Sequence, residues 1–250
     1  MLPLILLASI ACVPKSVVNR IETLEGQVAS LEKEVARLND QPARPTAGMR
    51  PTVDADLEQQ AGDQLKAAMD AANKLDWTTA QQLCTSGALQ FGATQTWQRR
   101  ARICDEAAVV GKPSVPLDVE LWFQGSPPPA SDTQLLVFWE QWCPHCKREM
   151  PLVQELVDQH PGEITVVALT KVNRSSSEEK VRAFIAEKGL RFAVAKERNG
   201  SLSQYYNVSG VPAAAIVKDG VVIWRGHPAA LQRDNPLRDV LASRGPTGNR

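Results

Sequence analysis

From Val115 onward the chain alternates short runs of β-branched and aromatic residues with amphipathic helical stretches. Few arrangements bury the apolar surface of such a pattern. VELWF (119–123) and LLVFW (135–139) read as strands, HCKREMPLVQELVDQH (145–160) as a helix, and ITVVALT (164–170) as a buried strand. SSEEKVRAFIAEKG (176–189) is a capped helix, RFAVAK (191–196) is strand-like, and SLSQYYN (201–207) is a short helix. AAAIVK and VVIWRG form a hairpin about Asp219-Gly220, and a last helix lies near PLRDVLASR. The expectation is an α/β domain over 113–245, with a mixed central sheet covered by helices on both faces.

The reactive feature of this domain is Cys143-Pro144-His145-Cys146, directly after the strand LLVFWE. That spacing puts Cys143 at the first turn of a helix and Cys146 one turn further in, where backbone N–H groups and the helix dipole favour a thiolate at Cys143. Zinc needs about four ligands, and the chain offers three histidines and no second CxxC, so no metal site is expected. A purely structural disulfide within CxxC closes too small a loop to constrain the unfolded chain much. Redox chemistry is what the spacing serves, and it requires no cofactor.

These residues resemble the thioredoxin superfamily. Trp142 precedes Cys143, Pro151 falls where it kinks the helix, and SGVPAAAIVKDGVVIWRG (209–226) is similar to that family's cis-proline loop and terminal hairpin. The resemblance implies a cis Pro212 facing the cysteines and a Val211 backbone free to pair with an incoming peptide. FWEQWCPHCKREMPLVQEL and the helix-strand insertion at 176–195 look most like the periplasmic TlpA/ResA-like branch. The position held by a buried aspartate in thioredoxin is Val137. Glu149 matches the acidic residue of the TlpA/ResA-like pattern, on the helical face of the cysteines, and the resemblance makes it the proton shuttle. Pro144-His145 is the dipeptide of oxidising members such as the DsbA family, whereas the scaffold resembles a branch of mostly reductants. The direction of electron flow stays open. Trp139 and Trp142 are expected to frame the site or, as aromatics flanking a strand end, to belong to the core, and His160 is expected to cap a helix end.

Four further segments precede this domain. Residues 1–12, MLPLILLASIAC, carry an apolar run too short to span a bilayer but suited to a secretion signal. Residues 8–12 resemble a bacterial lipobox, so Cys12 is either a lipidated N-terminus or an ordinary cysteine. Over 17–39, Ile21, Val28 and Val35 alternate at heptad spacing with Leu24, Leu31 and Leu38, an a/d seam that favours a parallel two-stranded coiled coil and a homodimer. A lone amphipathic stalk is the alternative. Residues 40–53 form a proline-rich linker.

Residues 54–111 read as a module of three helices, with Asp76 and Thr94 as N-caps, Gly92 as a breaker and Gly111 as a stop. Its paired helices resemble a tetratricopeptide-type hairpin without a repeating period, and a helical spacer packed on the next domain is the other reading. Antiparallel packing about Gly92 brings Cys84 and Cys104 near each other, either as a structural disulfide or as two buried thiols.

The chain has 250 residues, 43% of them hydrophobic, enough for one good core and accessory parts. Its charge is balanced at 28 against 28, with no basic patch interleaved with aromatics, so no nucleic-acid partner is expected. Setting Cys12 aside leaves an even four cysteines, which suits an oxidising compartment. The expected protein is an exported thiol-disulfide oxidoreductase on the periplasmic side of a bacterial membrane, lipid-anchored or soluble there. Its partners would be protein thiols or disulfides and a redox partner protein. The competing expectation is a tethered adaptor whose helical module binds a partner and whose redox site is secondary.

Overall fold

The computed structural model describes residues 15–39, 55–128, 133–173, 176–233 and 236–242. The signal-like segment with Cys12 and the whole 40–53 linker lie outside the described residues. The chain divides into two compact units, between residues 52 and 53. In the first, helix α1 (Lys15–Asn39) carries the heptad stripe, and Ile21, Leu24 and Val28 are about half exposed along it. Among the described residues no helix is long and apolar enough to cross a membrane.

The second unit opens with α2 (Ala55–Asn73) and α3 (Trp77–Phe91), and Asp76 caps α3 by accepting the Thr79 N–H at 3.1 Å. The expected third helix is two: α4 (Gln95–Arg100), capped by Thr94, and α5 (Arg102–Ala107). Ala101, at φ −73° and ψ 19°, breaks the ladder between them. The break has a packing use. Gly87 on α3 leaves room for the Trp97 ring, since a Cβ there would stand 2.1 Å from Trp97 Cη2. One turn past the break, Cys104 reaches Cys84, and the two form a disulfide with Cα atoms 5.3 Å apart.

The helical module is continuous with the α/β core. Gln81 Nε2 donates to the carbonyls of Ala107 and Val110, closing the end of the module. The chain then enters β1 (Val119–Gln124) and β2 (Thr133–Trp139), followed by α6 (Pro144–Gln159), β3 (Thr165–Thr170), α7 (Glu178–Lys188) and β4 (Ala193–Glu197). It ends with α8 (Ser201–Tyr205), β5 (Ala213–Lys218), β6 (Val221–Gly226), α9 (Ala230–Arg233) and α10 (Pro236–Ala242). Of these, the four-residue α9 is too short for periodicity to reveal.

The six strands lie in the order β1-β4-β3-β2-β5-β6. β2, β3 and β4 are parallel, joined through α6 and α7, while β1, β5 and β6 run antiparallel to their neighbours. Alternation within each strand builds two cores, one per face. Leu135, Val137 and Trp139 of β2 face the layer that includes Cys146, Met150 and Val153 of α6 and Val181, Phe184 and Ile185 of α7. Leu136 and Phe138 face the other layer, with Leu202 and Tyr206. The central strands are buried on both faces and therefore read as continuous apolar runs. β2 and α6 meet at the turn that carries the cysteines.

Candidate active site

β2 ends at Trp139, and the turn Glu140-Gln141-Trp142 delivers the chain to Cys143, the N-cap of α6. A donor from the Cys143 N–H to the Glu140 carbonyl, at 3.1 Å, closes the turn. Pro144 holds the first helical position, where its missing N–H has no partner to lose. Cys143 Sγ accepts the Cys146 N–H at 3.4 Å, the contact an N-cap side chain normally makes. Its thiol hydrogen donates to the Val211 carbonyl at 3.7 Å.

The Val211-Pro212 bond is cis, and it brings the loop after α8 against the cysteines. Both cysteines are free thiols; Cys143 is 5% exposed and Cys146 fully buried. Burial pushes the Cys146 thiol far up. The Glu140 backbone N–H offsets part of that shift, while Cys143 and the Glu140 carboxylate add to it. Cys146 is thus a thiol that needs a base before it can react.

The carboxylate beside it is that of Glu140, which the sequence reading did not single out. Glu140 is buried, and its Oε2 has no hydrogen-bond partner. Burial raises its pKa; the Lys171 ammonium and the Trp142 indole N–H pull it back, and Glu197 raises it further. Lys171 is held by Glu197 at 3.7 Å, and the buried Glu197 carboxylate also accepts from the Ser203 N–H at 2.7 Å and from the Ser203 hydroxyl. Two buried carboxylates therefore share one ammonium beside the thiol pair. The signal in the sequence was an acidic residue interrupting FWEQW at the end of a buried strand, since a buried polar group is more informative than an apolar one.

Other sequence candidates fall in different places. Glu149 is half-buried on α6, and no hydrogen bond or ion pair joins it to either cysteine; the carboxylate acting on Cys146 is Glu140. Trp142 is 47% exposed at the mouth of the site. Trp139 takes the core alternative, buried 5.3 Å from the Phe184 ring. Val137 is buried in β2 opposite Ala168 and Ala214. His145 is exposed, and Arg148 Nη2 donates to its Nδ1 at 2.7 Å. A guanidinium has no acceptor, so in this arrangement Nδ1 accepts. His160 is the C-cap of α6. Among the described residues no group of three or more His, Cys, Asp or Glu is placed to hold a metal ion.

A mixed sheet that presents two thiols at the N-terminus of a helix, opposite a loop carrying a cis proline, defines a thioredoxin-fold dithiol domain. The Redoxin family model matches residues 129–241. Over this domain the chain is similar to the TlpA/ResA-like thiol-disulfide oxidoreductases of the thioredoxin superfamily. It is similar to sporulation thiol-disulfide oxidoreductase A of Bacillus subtilis (strain 168), 30% identical over 86 residues, which cover 34% of this chain and 52% of that protein. It is also similar to thiol-disulfide oxidoreductase ResA of Bacillus thuringiensis subsp. konkukian (strain 97-27), 31% identical over 109 residues, covering 42% and 61%. A solved thioredoxin-like protein in its oxidised form is 22% identical, with 54% of this chain and 98% of that chain covered and a TM-score of 0.49. The chain spans about half the length of the curated relatives it matches.

Proposed function

We propose that this protein is a thiol-disulfide oxidoreductase that exchanges disulfides with protein substrates through Cys143 and Cys146. The observation that carries the proposal is the pair of free cysteines at the start of α6, one nearly buried against the carbonyl of the cis-proline loop and one fully buried. In the reducing direction the Cys143 thiolate attacks a substrate disulfide, forming a Cys143–substrate mixed disulfide and releasing one substrate thiolate. Cys146 then attacks Cys143 Sγ, the mixed disulfide breaks, and the second substrate thiolate leaves. The substrate gains two electrons and the protein is left with a Cys143–Cys146 disulfide. The oxidising direction is the same path reversed, and a redox partner protein resets the pair.

Cys146 gives up its proton before attacking, and Glu140 takes it. Support comes from the unpartnered Oε2, from the burial of both groups and from the influence of the Glu140 charge on the Cys146 thiol. Lys171 stabilises the Glu140 carboxylate when the proton is elsewhere, and protonation lowers the repulsion from Glu197.

Anchoring and assembly belong to the same proposal. The protein acts on the periplasmic side of a bacterial membrane, held by lipid on Cys12, and mass spectrometry of the membrane fraction tests this by the mass of the N-terminal peptide. It dimerises through α1, where the exposure of Ile21, Leu24 and Val28 supports a coiled coil. Light scattering of an Ile21→Glu/Val28→Glu variant tests that: half the wild-type mass is expected, and an unchanged mass contradicts it.

The test of function is insulin reduction and dithiol oxidation by wild type, Cys143→Ser and Cys146→Ala. Loss of turnover in both variants is expected. Retention of full biological activity by both would favour the adaptor reading instead.

A further inference from the structure

A groove lies between α6 and α7 beside the turn that bears the cysteines, with a volume of about 450 Å³. Gln141 of that turn closes one end, Lys147 and Arg148 line the α6 wall, and Lys180 and Lys188 line the α7 wall. Its one carboxylate, Glu187, pairs with Lys188 at 2.8 Å and also feels Lys147 across the gap. Three cations remain in excess, in a chain whose net charge is zero.

The floor is apolar. Phe184 lines it, buried against Trp139. Arg148 joins the groove to the active-site dipeptide through its bond to His145. Lys180 and Lys188 are eight residues apart, or about 12 Å along the helix. Cations distributed over that length match several residues of extended chain, at about 3.3 Å each, rather than one small anion.

We propose that this groove receives an acidic segment of the polypeptide whose cysteine reacts at Cys143. The substrate class is therefore proteins carrying Asp or Glu near the exchanging cysteine. The inference rests on the redox reading and adds substrate choice to it: charge complementarity raises the encounter rate with acidic partners and lowers it with basic ones.

The experiment uses three probes with the reduced full chain: disulfide-linked dimers of a short peptide with a central cysteine flanked by Glu, the same dimers flanked by Lys, and the neutral 2-hydroxyethyl disulfide. The Glu peptide should react faster than the Lys peptide by about tenfold or more at low ionic strength. The ratio should collapse toward one near 1 M salt, where screening acts within about 3 Å. Lys180→Glu/Lys188→Glu, on the wall remote from the thiols, should abolish or invert the preference and leave the neutral disulfide rate unchanged.

Equal rates for the two peptides, with the neutral disulfide reduced normally, would overturn the groove while the redox reading stands. A preference that persists in the double variant would place recognition on another surface and also overturn it. Failure to reduce any of the three probes would overturn both readings.

Discussion

The thiol of Cys143 donates to the Val211 carbonyl oxygen across 3.7 Å, so the reacting sulfur sits under the cis-proline loop while Cys146, one turn deeper, has no surface at all. Alkylation should therefore separate the two thiols. With iodoacetamide at neutral pH, Cys143 is expected to be modified first, and the Cys143→Ser variant should react more than about tenfold slower than Cys146→Ala. Peptide mass mapping checks this, and equal reactivity would contradict the burial difference.

Glu140→Gln removes the buried base and keeps its shape. Turnover in either direction should fall by about 10²-fold, the lower end for a lost proton-transfer group. Glu149→Gln, without contact to the cysteines, should change it by less than about twofold. The loss at Glu140 should fall on resolution of the mixed disulfide, so the Glu140→Gln variant should accumulate that intermediate in a single-turnover quench. The opposite ranking of the two variants would restore Glu149 as the shuttle.

The same substitution has a signed effect on stability. Burial raises the Glu140 pKa above its unfolded value, so its contribution is fully present below the unfolded pKa and is lost as pH rises through the folded pKa. Glutamine carries no such loss. The Tm of Glu140→Gln relative to wild type should therefore rise from acidic toward alkaline pH, and a flat difference would mean that Glu140 is not perturbed.

The Cys84–Cys104 disulfide ties α3 to α5 across a sequence separation of 20. Closing a loop of that length stabilises the fold by about 3 kcal/mol through the unfolded chain. Cys84→Ala/Cys104→Ala should lose about that much in denaturant unfolding and should retain the Cys143–Cys146 chemistry, which separates the structural bridge from the reactive one.

Arg225 is fully buried, donates to the carbonyls of Tyr206, Asn207, Ala214 and Gly226, and lies 3.9 Å from Glu106 of α5. It thus joins the helical module to the strand and loop behind the cis proline. Burial lowers its pKa to about 10, which still leaves it charged at neutral pH. Arg225→Met removes the guanidinium from those carbonyls and leaves Glu106 paired with Arg102 alone, and should cost about 3 kcal/mol in chemical unfolding.

The sheet and its helices were legible because β2 and β3 are buried on both faces and leave unbroken apolar runs, while α6 and α7 carry caps and a regular stripe. Cys143 and Cys146 were legible because a spacing of three residues along one helix sets their relation locally. Glu140 was not, because its role comes from Lys171 after β3 and Glu197 at the end of β4, brought together by strand pairing rather than by chain spacing. The break at Ala101 was hidden for a similar reason: Gly87 and Cys84, both on another helix, decide where Trp97 and Cys104 must sit.

Equilibration against glutathione redox buffers, with the Cys143 and Cys146 states read by mass, tests whether these two thiols form one reversible two-electron couple. Donors at the start of α6, including the Cys146 N–H at 3.4 Å, stabilise charge on Cys143 Sγ only in the reduced form, whereas buried Glu140 opposes further negative charge beside it. The expected result is a single transition to an intramolecular Cys143–Cys146 disulfide, with a midpoint above the approximately −270 mV of thioredoxin and below about −120 mV. A protein that only accumulates glutathione on Cys143, without closing the disulfide to Cys146 at any buffer ratio, would contradict the account.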